Sequence, residues 1–258
     1  MISNIKLIKF ALCIEYNGNN YHGWQKQKNI VSIQEKIELA LSLVANHQVR
    51  VTCSGRTDAG VHSIGQVIHF ETYAIRKEIS WLLGVNSYLP NDIVILWIKQ
   101  VPMYFHARYC AFSRVYRYLI YNRSFRSAIF INSMHYIFHN LDIEKMHLGG
   151  QYLLGEHDFS AFRSTGCQSS TAFRNIRKLN VMKNNFLVII DIEANSFLYH
   201  MVRNIVGTLI EIGLKKKKKS WMKKLLKSKN RHLCGPTVQA RGLYLLQVKY
   251  PSYFDLPS

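Results

Sequence analysis

Val49-Arg-Val-Thr-Cys53, Ser54-Gly-Arg-Thr-Asp-Ala-Gly-Val-His62 and Gln66-Val-Ile-His-Phe-Glu71 lie nearly end to end, and together they set the fold class. The two outer segments concentrate β-branched and apolar residues, which predicts strands. Between them Gly55 and Gly60 bracket a Thr-Asp pair, so the backbone is expected to turn sharply and present Asp58 into a cleft. Aspartate beside glycine is also the make-up of an ordinary turn. The stretch lacks the G-x-x-x-x-G-K-[ST] order of a phosphate-cradling loop. Taken alone, it leaves the plain turn and the reactive loop both open.

Working outward, residues 10–16 predict a strand ended by the turn Asn17-Gly-Asn-Asn20. Ser32-Ile-Gln-Glu35 is a capping box, opening a helix with Ile33, Ile37, Ala40, Leu41 and Val44 on one face. Residues 80–89 predict a helix stopped by Pro90, and residues 93–100 and 113–121 predict strands. In the second half Asp142 caps a helix running to about Leu154. Residues 173–183 and 186–194 read as strands joined near Asn184-Asn185. Residues 197–213 form a strongly apolar helix, and residues 242–250 a closing strand. Helices interleaved with hairpin-like strand pairs indicate an α+β protein. Residues 123–140 read as a crossover between halves, so the expected domains are 1–122 and 123–258.

Composition narrows the function. Of 258 residues, 34 are Lys or Arg and 15 are Asp or Glu, a formal charge of +19, and 48% are hydrophobic. A disordered chain lacks that much apolar surface. No run approaches the ~18 uninterrupted apolar residues of a membrane helix. Lys6 and Lys9 interrupt what would be a signal peptide's apolar stretch, so secretion is not expected and a cytoplasmic location is. Cys13, Cys53, Cys110, Cys167 and Cys234 are odd in number and far apart, without a C-x-x-C pair. Reduced structural thiols are expected, with neither a disulfide framework nor a metal site.

The positive charge points to a polyanionic partner, since Lys and Arg displace the counterions condensed on nucleic-acid phosphates. Richness in Lys, Asn and Ile is also what an AT-biased genome produces. The run Lys215–Lys219, followed by Lys223, Lys224, Lys227 and Lys229, therefore reads either as a ligand-touching cluster or as a solvated face. Arginine is more informative. Arg56, Arg108, Arg114, Arg117, Arg163, Arg174 and Arg203 lie in or beside apolar segments, and each is expected to have an anionic partner.

Six blocks in order carry a resemblance. They are Tyr16-Asn-Gly with Tyr21-His-Gly-Trp-Gln25; Gly55-Arg-Thr-Asp-Ala-Gly-Val-His62 with Gly65-Gln-Val; and Phe105-His-Ala-Arg108 with Arg114-Val-Tyr-Arg-Tyr118. Then come Gly155-Glu-His-Asp-Phe-Ser-Ala-Phe-Arg163, Phe197-Leu-Tyr-His-Met-Val-Arg-Asn-Ile-Val-Gly207 and Gly242-Leu-Tyr-Leu. From Lys9 to Pro251 the chain resembles the tRNA pseudouridine synthase A family, enzymes that isomerise uridine in the anticodon stem-loop. Ser63 stands where that family usually has Ala. Thr237-Val-Gln-Ala240 replaces its usual Thr-Ala-Pro-Ala, which predicts a less rigid loop.

The resemblance implies a pseudouridine-synthase-like fold, two similar α/β halves forming a continuous, mainly antiparallel sheet with helices packed on it. It implies conversion of uridine to pseudouridine at tRNA positions 38, 39 and 40, by a homodimer, without a cofactor. It assigns the nucleophile to Asp58 and its ion-pair partner to Arg203, although an arginine on such a helix can also snorkel to the surface. Tyr116 matches the tyrosine that stacks on the base and moves a proton, and Leu243 a residue packed beneath the base. Both would otherwise read as core. Arg56, on the same loop as Asp58, is expected to bind substrate, by contacting a phosphate or by filling the gap left by the target nucleotide. His62 and His200 read as structural or RNA-contacting. The competing reading is a non-catalytic tRNA-binding module or chaperone on the same scaffold.

Overall fold

The structure is a computed structural model and describes residues 6–257. Met1 to Ile5, part of the stretch weighed above for secretion, lie outside the described residues. The chain forms two compact units, one of residues up to Phe112 together with those from Leu245 on, the other Ser113–Tyr244. The first holds β1 (Ile8–Tyr16), α1 (Ile33–Ala45), β2 (Val51–Cys53), β3 (His62–Thr72), α2 (Glu78–Tyr88) and β4 (Ile93–Val101). The second holds β5 (Ser113–Asn122), β6 (His135–Ile137), α3 (Ile143–Gln151), β7 (Gly155–Asp158), β8 (Phe173–Asn184), β9 (Leu187–Ala194), α4 (Met201–Gly213) and α5 (Trp221–Ser228). The closing strand is β10 (Leu243–Lys249).

In the first unit β1 lies between β4 and β3 and is antiparallel to both, with Phe10 opposite Gln100 and Phe70. Its alternate residues Phe10, Leu12, Ile14 and Tyr16 share one face, as period-2 geometry requires, and pack with Ile37 and Leu41 of α1 and Trp81 and Val85 of α2. The Ser32 side chain accepts the Glu35 N–H at 3.4 Å, so the expected cap starts α1. The other sheet face is covered too. There Lys9 Nζ donates to the Phe105 carbonyl at 3.0 Å and meets Glu71 Oε1 at 3.1 Å. Phe105 packs against Tyr250 and Phe254, and Tyr250 Oη donates to the Ala107 carbonyl at 2.6 Å.

In the second unit β5–β9, β9–β8 and β8–β7 are antiparallel, and the short β6 lies parallel to β5. Asp142 accepts the Lys145 N–H at 3.1 Å and caps α3, which packs on β8 and against α4. On α4, Met201, Ile205, Val206, Leu209 and Ile212 are fully buried. This is an α+β arrangement, as the sequence predicts.

The unit boundary differs from the expected 122/123 in two places. β5 pairs with β9 from Arg114–Ala194 to Tyr121–Leu187, which draws it into the second unit. Residues from Leu245 on return to the first, where Ser63 Oγ donates to the Leu245 carbonyl at 3.1 Å and Phe112 N–H to the Lys249 carbonyl at 3.0 Å. The apolar helix starts at Met201 rather than residue 197, because His200 takes a left-handed conformation with φ 59°. Among the described residues, no helix is long and apolar enough to cross a membrane.

Candidate active site

The loop carrying Asp58 is fixed from two sides. At its foot, Ser54 Oγ donates to Gln66 Oε1 at 2.6 Å, and Gln66 Nε2 donates back to the Gly55 carbonyl at 2.7 Å. At its tip, the hydroxyls of Tyr16 and Thr57 share a buried 2.7 Å bond, and the Thr57 carbonyl accepts Trp24 N–H at 3.0 Å. Val61 N–H closes a turn on the Asp58 carbonyl at 3.2 Å. The Tyr16 to Trp24 segment is therefore the cradle of this loop. Gly18 belongs to that cradle because a Cβ there would stand 2.0 Å from the Val61 carbonyl oxygen. His62 is a structural member as well, its Nδ1 accepting Gly18 N–H at 3.2 Å. Asp58 itself is half-buried, between buried Thr57 and exposed Ala59. Arg56 is exposed. Burial pushes the Cys53 thiol up to about 11, while the Arg56 and Arg108 guanidinium charges act in the opposite direction.

Arg56 and Asp58 share this loop of the first unit, and Tyr116, Arg203 and Leu243 belong to the second. Arg203 is half-buried on α4, and its Nε donates to the Val238 carbonyl at 2.8 Å. The side chain is tied to a backbone carbonyl rather than trailing into solvent. Tyr116, on β5 opposite Ile192, is half-buried with its ring edge-to-face against Phe197 at 5.1 Å. Leu243 is buried where β10 begins. Next to Tyr116, Tyr118 Oη donates to the Gln239 carbonyl at 2.8 Å. Burial drives its phenol above the ordinary value, and the Arg203 and Arg241 charges oppose that.

The expectation that every arginine finds an anion is corrected for Arg163 and Arg174. Arg117 does so, with a bidentate pair to Asp191 at 2.7 and 2.8 Å. Arg163 donates to the Cys167 and Ser169 carbonyls, and Arg174 to the Thr171 and Phe173 carbonyls. The Cys167, Ser169 and Thr171 carbonyls lie outside the strands and helices, the Phe173 carbonyl belongs to the first residue of β8, and a guanidinium with five donors takes up several at once.

The comparisons decide the family. The family described as tRNA pseudouridine synthase matches residues 12–110 and 150–251. The tRNA pseudouridine synthase A of Buchnera aphidicola subsp. Baizongia pistaciae is 61% identical over 96% of this chain and 94% of its own length. The chain belongs to the tRNA pseudouridine synthase family. Relatives of the same name from Psychromonas ingrahamii and Citrobacter koseri are 53% and 52% identical, covering 97% and 96% of this chain and 96% and 92% of theirs. A chain of the archaeal box H/ACA sRNP Nop10-Cbf5 complex is 8% identical with a TM-score of 0.36, over 87% of this chain and 59% of that one. As a tRNA pseudouridine synthase, the protein is an isomerase that acts on tRNA.

Within this pseudouridine synthase the unusual residues acquire roles. Ser63 is fully buried, and its hydroxyl bonds the Leu245 carbonyl and the Gly65 N–H, both at 3.1 Å. Gln239 stands at the usual proline with φ −60°, which is proline-like backbone. Its Oε1 accepts Arg241 Nε at 2.8 Å and lies 3.2 Å from His135 Nδ1. These contacts hold a loop for which the sequence predicts less rigidity. Lys215–Lys219 are all exposed, and Lys223, Lys224 and Lys227 form the exposed face of α5, whose Met222 and Leu225 are buried. Sequence reasoning passed over Asn204, Arg231 and Thr237, which hydrogen-bond one another beside α4. The first and last were visible inside quoted motifs, without any sign that they meet.

Proposed function

We propose that the protein converts uridine to pseudouridine at positions 38, 39 and 40 of the tRNA anticodon stem-loop, in the cytoplasm and as a homodimer. The observation that carries this reading is the 61% identity to a tRNA pseudouridine synthase A over 96% of this chain, together with an Asp58 loop held on both sides by residues of the matching blocks. The reaction breaks the N1–C1′ bond, rotates the uracil and joins C5 to C1′. The proton on C5 leaves and N1 regains one, so atoms and charge balance without a redox partner or transferred group.

In this reading Asp58 is the nucleophile and Arg203 its ion-pair partner. A paired guanidinium keeps a carboxylate ionised in a dry site and fixes its direction. Tyr116 stacks on the detached base and its hydroxyl takes part in moving the C5 proton, and Phe197 supports its ring from the side. Leu243 packs beneath the base. Arg56, exposed at the loop, contacts the RNA backbone. The uridine must leave its stack to reach Asp58, at a cost of a few kcal/mol offset by stacking and phosphate contacts. A chain with a formal charge of +19 suits a substrate read largely through shape and phosphate position.

The test is Asp58→Asn with C5-tritiated tRNA. Tritium release should vanish while tRNA binding persists. Retained release removes Asp58 from the nucleophile role. Mapping pseudouridine in tRNA from cells lacking the protein tests the three positions, and a full set of modified sites in those cells removes the positional assignment.

A further inference from the structure

We propose that Asn204, Arg231 and Thr237 form a positioning clamp that sets the direction of the Arg203 guanidinium. The inference deepens the proposed function and rests on its reading of Arg203. Asn204 is the next residue on α4 and is fully buried. A carboxamide offers two donors and two acceptor sites, and all four are used. Nδ2 donates to the Phe162 carbonyl at 2.8 Å and to Ser164 Oγ at 3.3 Å. Oδ1 accepts Thr237 Oγ1 at 2.6 Å and Arg231 Nη2 at 2.9 Å. Arg231 also reaches Thr237 Oγ1 at 2.9 Å and the Gly235 carbonyl at 3.1 Å.

These bonds press residues 231–238 onto α4. Further along, Gly235 N–H donates to Thr208 Oγ1 at 3.2 Å. The approach is so close that a Cβ on Gly207 would lie 1.8 Å from the Pro236 carbonyl oxygen. One residue beyond Thr237, the Val238 carbonyl receives Arg203 Nε. A guanidinium is planar, so an Nε bound to a fixed acceptor sets both its plane and the direction of its outer Nη edge. The clamp thus places the acceptor, and the acceptor aims the arginine. A loop held only for stability would have no reason to act through Arg203, and that difference can be measured.

The experiment combines Thr237→Val, Thr237→Ser and Arg203→Lys. It reads single-turnover tritium release at saturating tRNA, tRNA affinity, and Tm. Thr237→Val should slow release by at least ~10-fold with affinity within about twofold. Thr237→Ser, which restores the hydroxyl, should return the rate to within about threefold of the parent. Added to Arg203→Lys, Thr237→Val should cost less than about threefold more, because both changes act through one guanidinium. If Thr237→Val lowers Tm by more than about 5 °C, Arg231→Lys, which keeps the charge and loses the fork, replaces it in the same cycle. A parent-like rate in Thr237→Val, or effects that multiply in the double variant, overturns the clamp while leaving Arg203 in place. A parent-like rate in Arg203→Lys overturns the role of Arg203, and the clamp falls with it.

Discussion

Tyr16 and Thr57 join hydroxyls at 2.7 Å in a buried site, one residue before Asp58. The bond links the end of the first strand to the loop that the sequence singles out. Tyr16→Phe leaves the Thr57 hydroxyl short of this partner inside the protein, which costs ~1–2 kcal/mol. Tm should fall by roughly 2–6 °C in thermal unfolding, and turnover should fall further than tRNA affinity. An unchanged Tm would show that this bond does not hold the loop.

At position 239 the backbone already has the shape of the residue usually found there. Gln239 has φ −60°, so proline enters without strain and narrows the unfolded ensemble, a gain of ~0.4–1 kcal/mol. The side-chain bonds to Arg241 and His135 are lost at the same time. Because Gln239 is exposed, their loss should offset only part of the gain. Gln239→Pro should raise Tm by about 1–3 °C. A lower Tm would mean that the two side-chain bonds outweigh the backbone gain.

His69 provides the pH dependence. Burial, then the nearby charges of His106 and Lys9, lower its pKa from 6.5 to about 4, with Glu71 acting weakly the other way. Its ring lies 4.8 Å from that of His106, and its Nδ1 accepts Ala107 N–H at 3.1 Å, which requires the neutral ring. Since the folded pKa lies below the unfolded one, the unfolded chain takes up the proton first. The stabilisation is present above about pH 6.5 and is lost as pH falls towards 4, on the order of 2–3 kcal/mol. Tm measured from pH 7 to 4 should drop less steeply in His69→Gln than in the parent. Parallel curves would remove His69 as the cause.

Legibility followed the local physics. Caps are short-range, and Ser32 and Asp142 begin their helices where the sequence places them. The strands of the hairpin-like pairs were readable because their apolar residues recur over many positions. β7 is only four residues long and β6 three, too few for a period to show. α5 was hidden by its lysines, with only Met222 and Leu225 buried at helical spacing. β3 extends back to His62 because it is buried on both faces and shows little alternation. The carbonyl partners of Arg163 and Arg174 had no signal at all, since every residue carries a carbonyl. For the same reason the Val238 carbonyl that receives Arg203 Nε leaves no mark in the sequence.

The return of residues from Leu245 on to the first unit bears on how the protein is made. Ser63 and Phe112 find their backbone partners at Leu245 and Lys249, and Phe105 rests on Phe254. A ribosome that has released the first unit's amino-terminal portion has yet to synthesise the strap completing it, so the usual amino-to-carboxyl order of domain folding is broken. A message truncated shortly after Tyr244 would yield a polypeptide with the Asp58 loop encoded but its supporting sheet left unfinished.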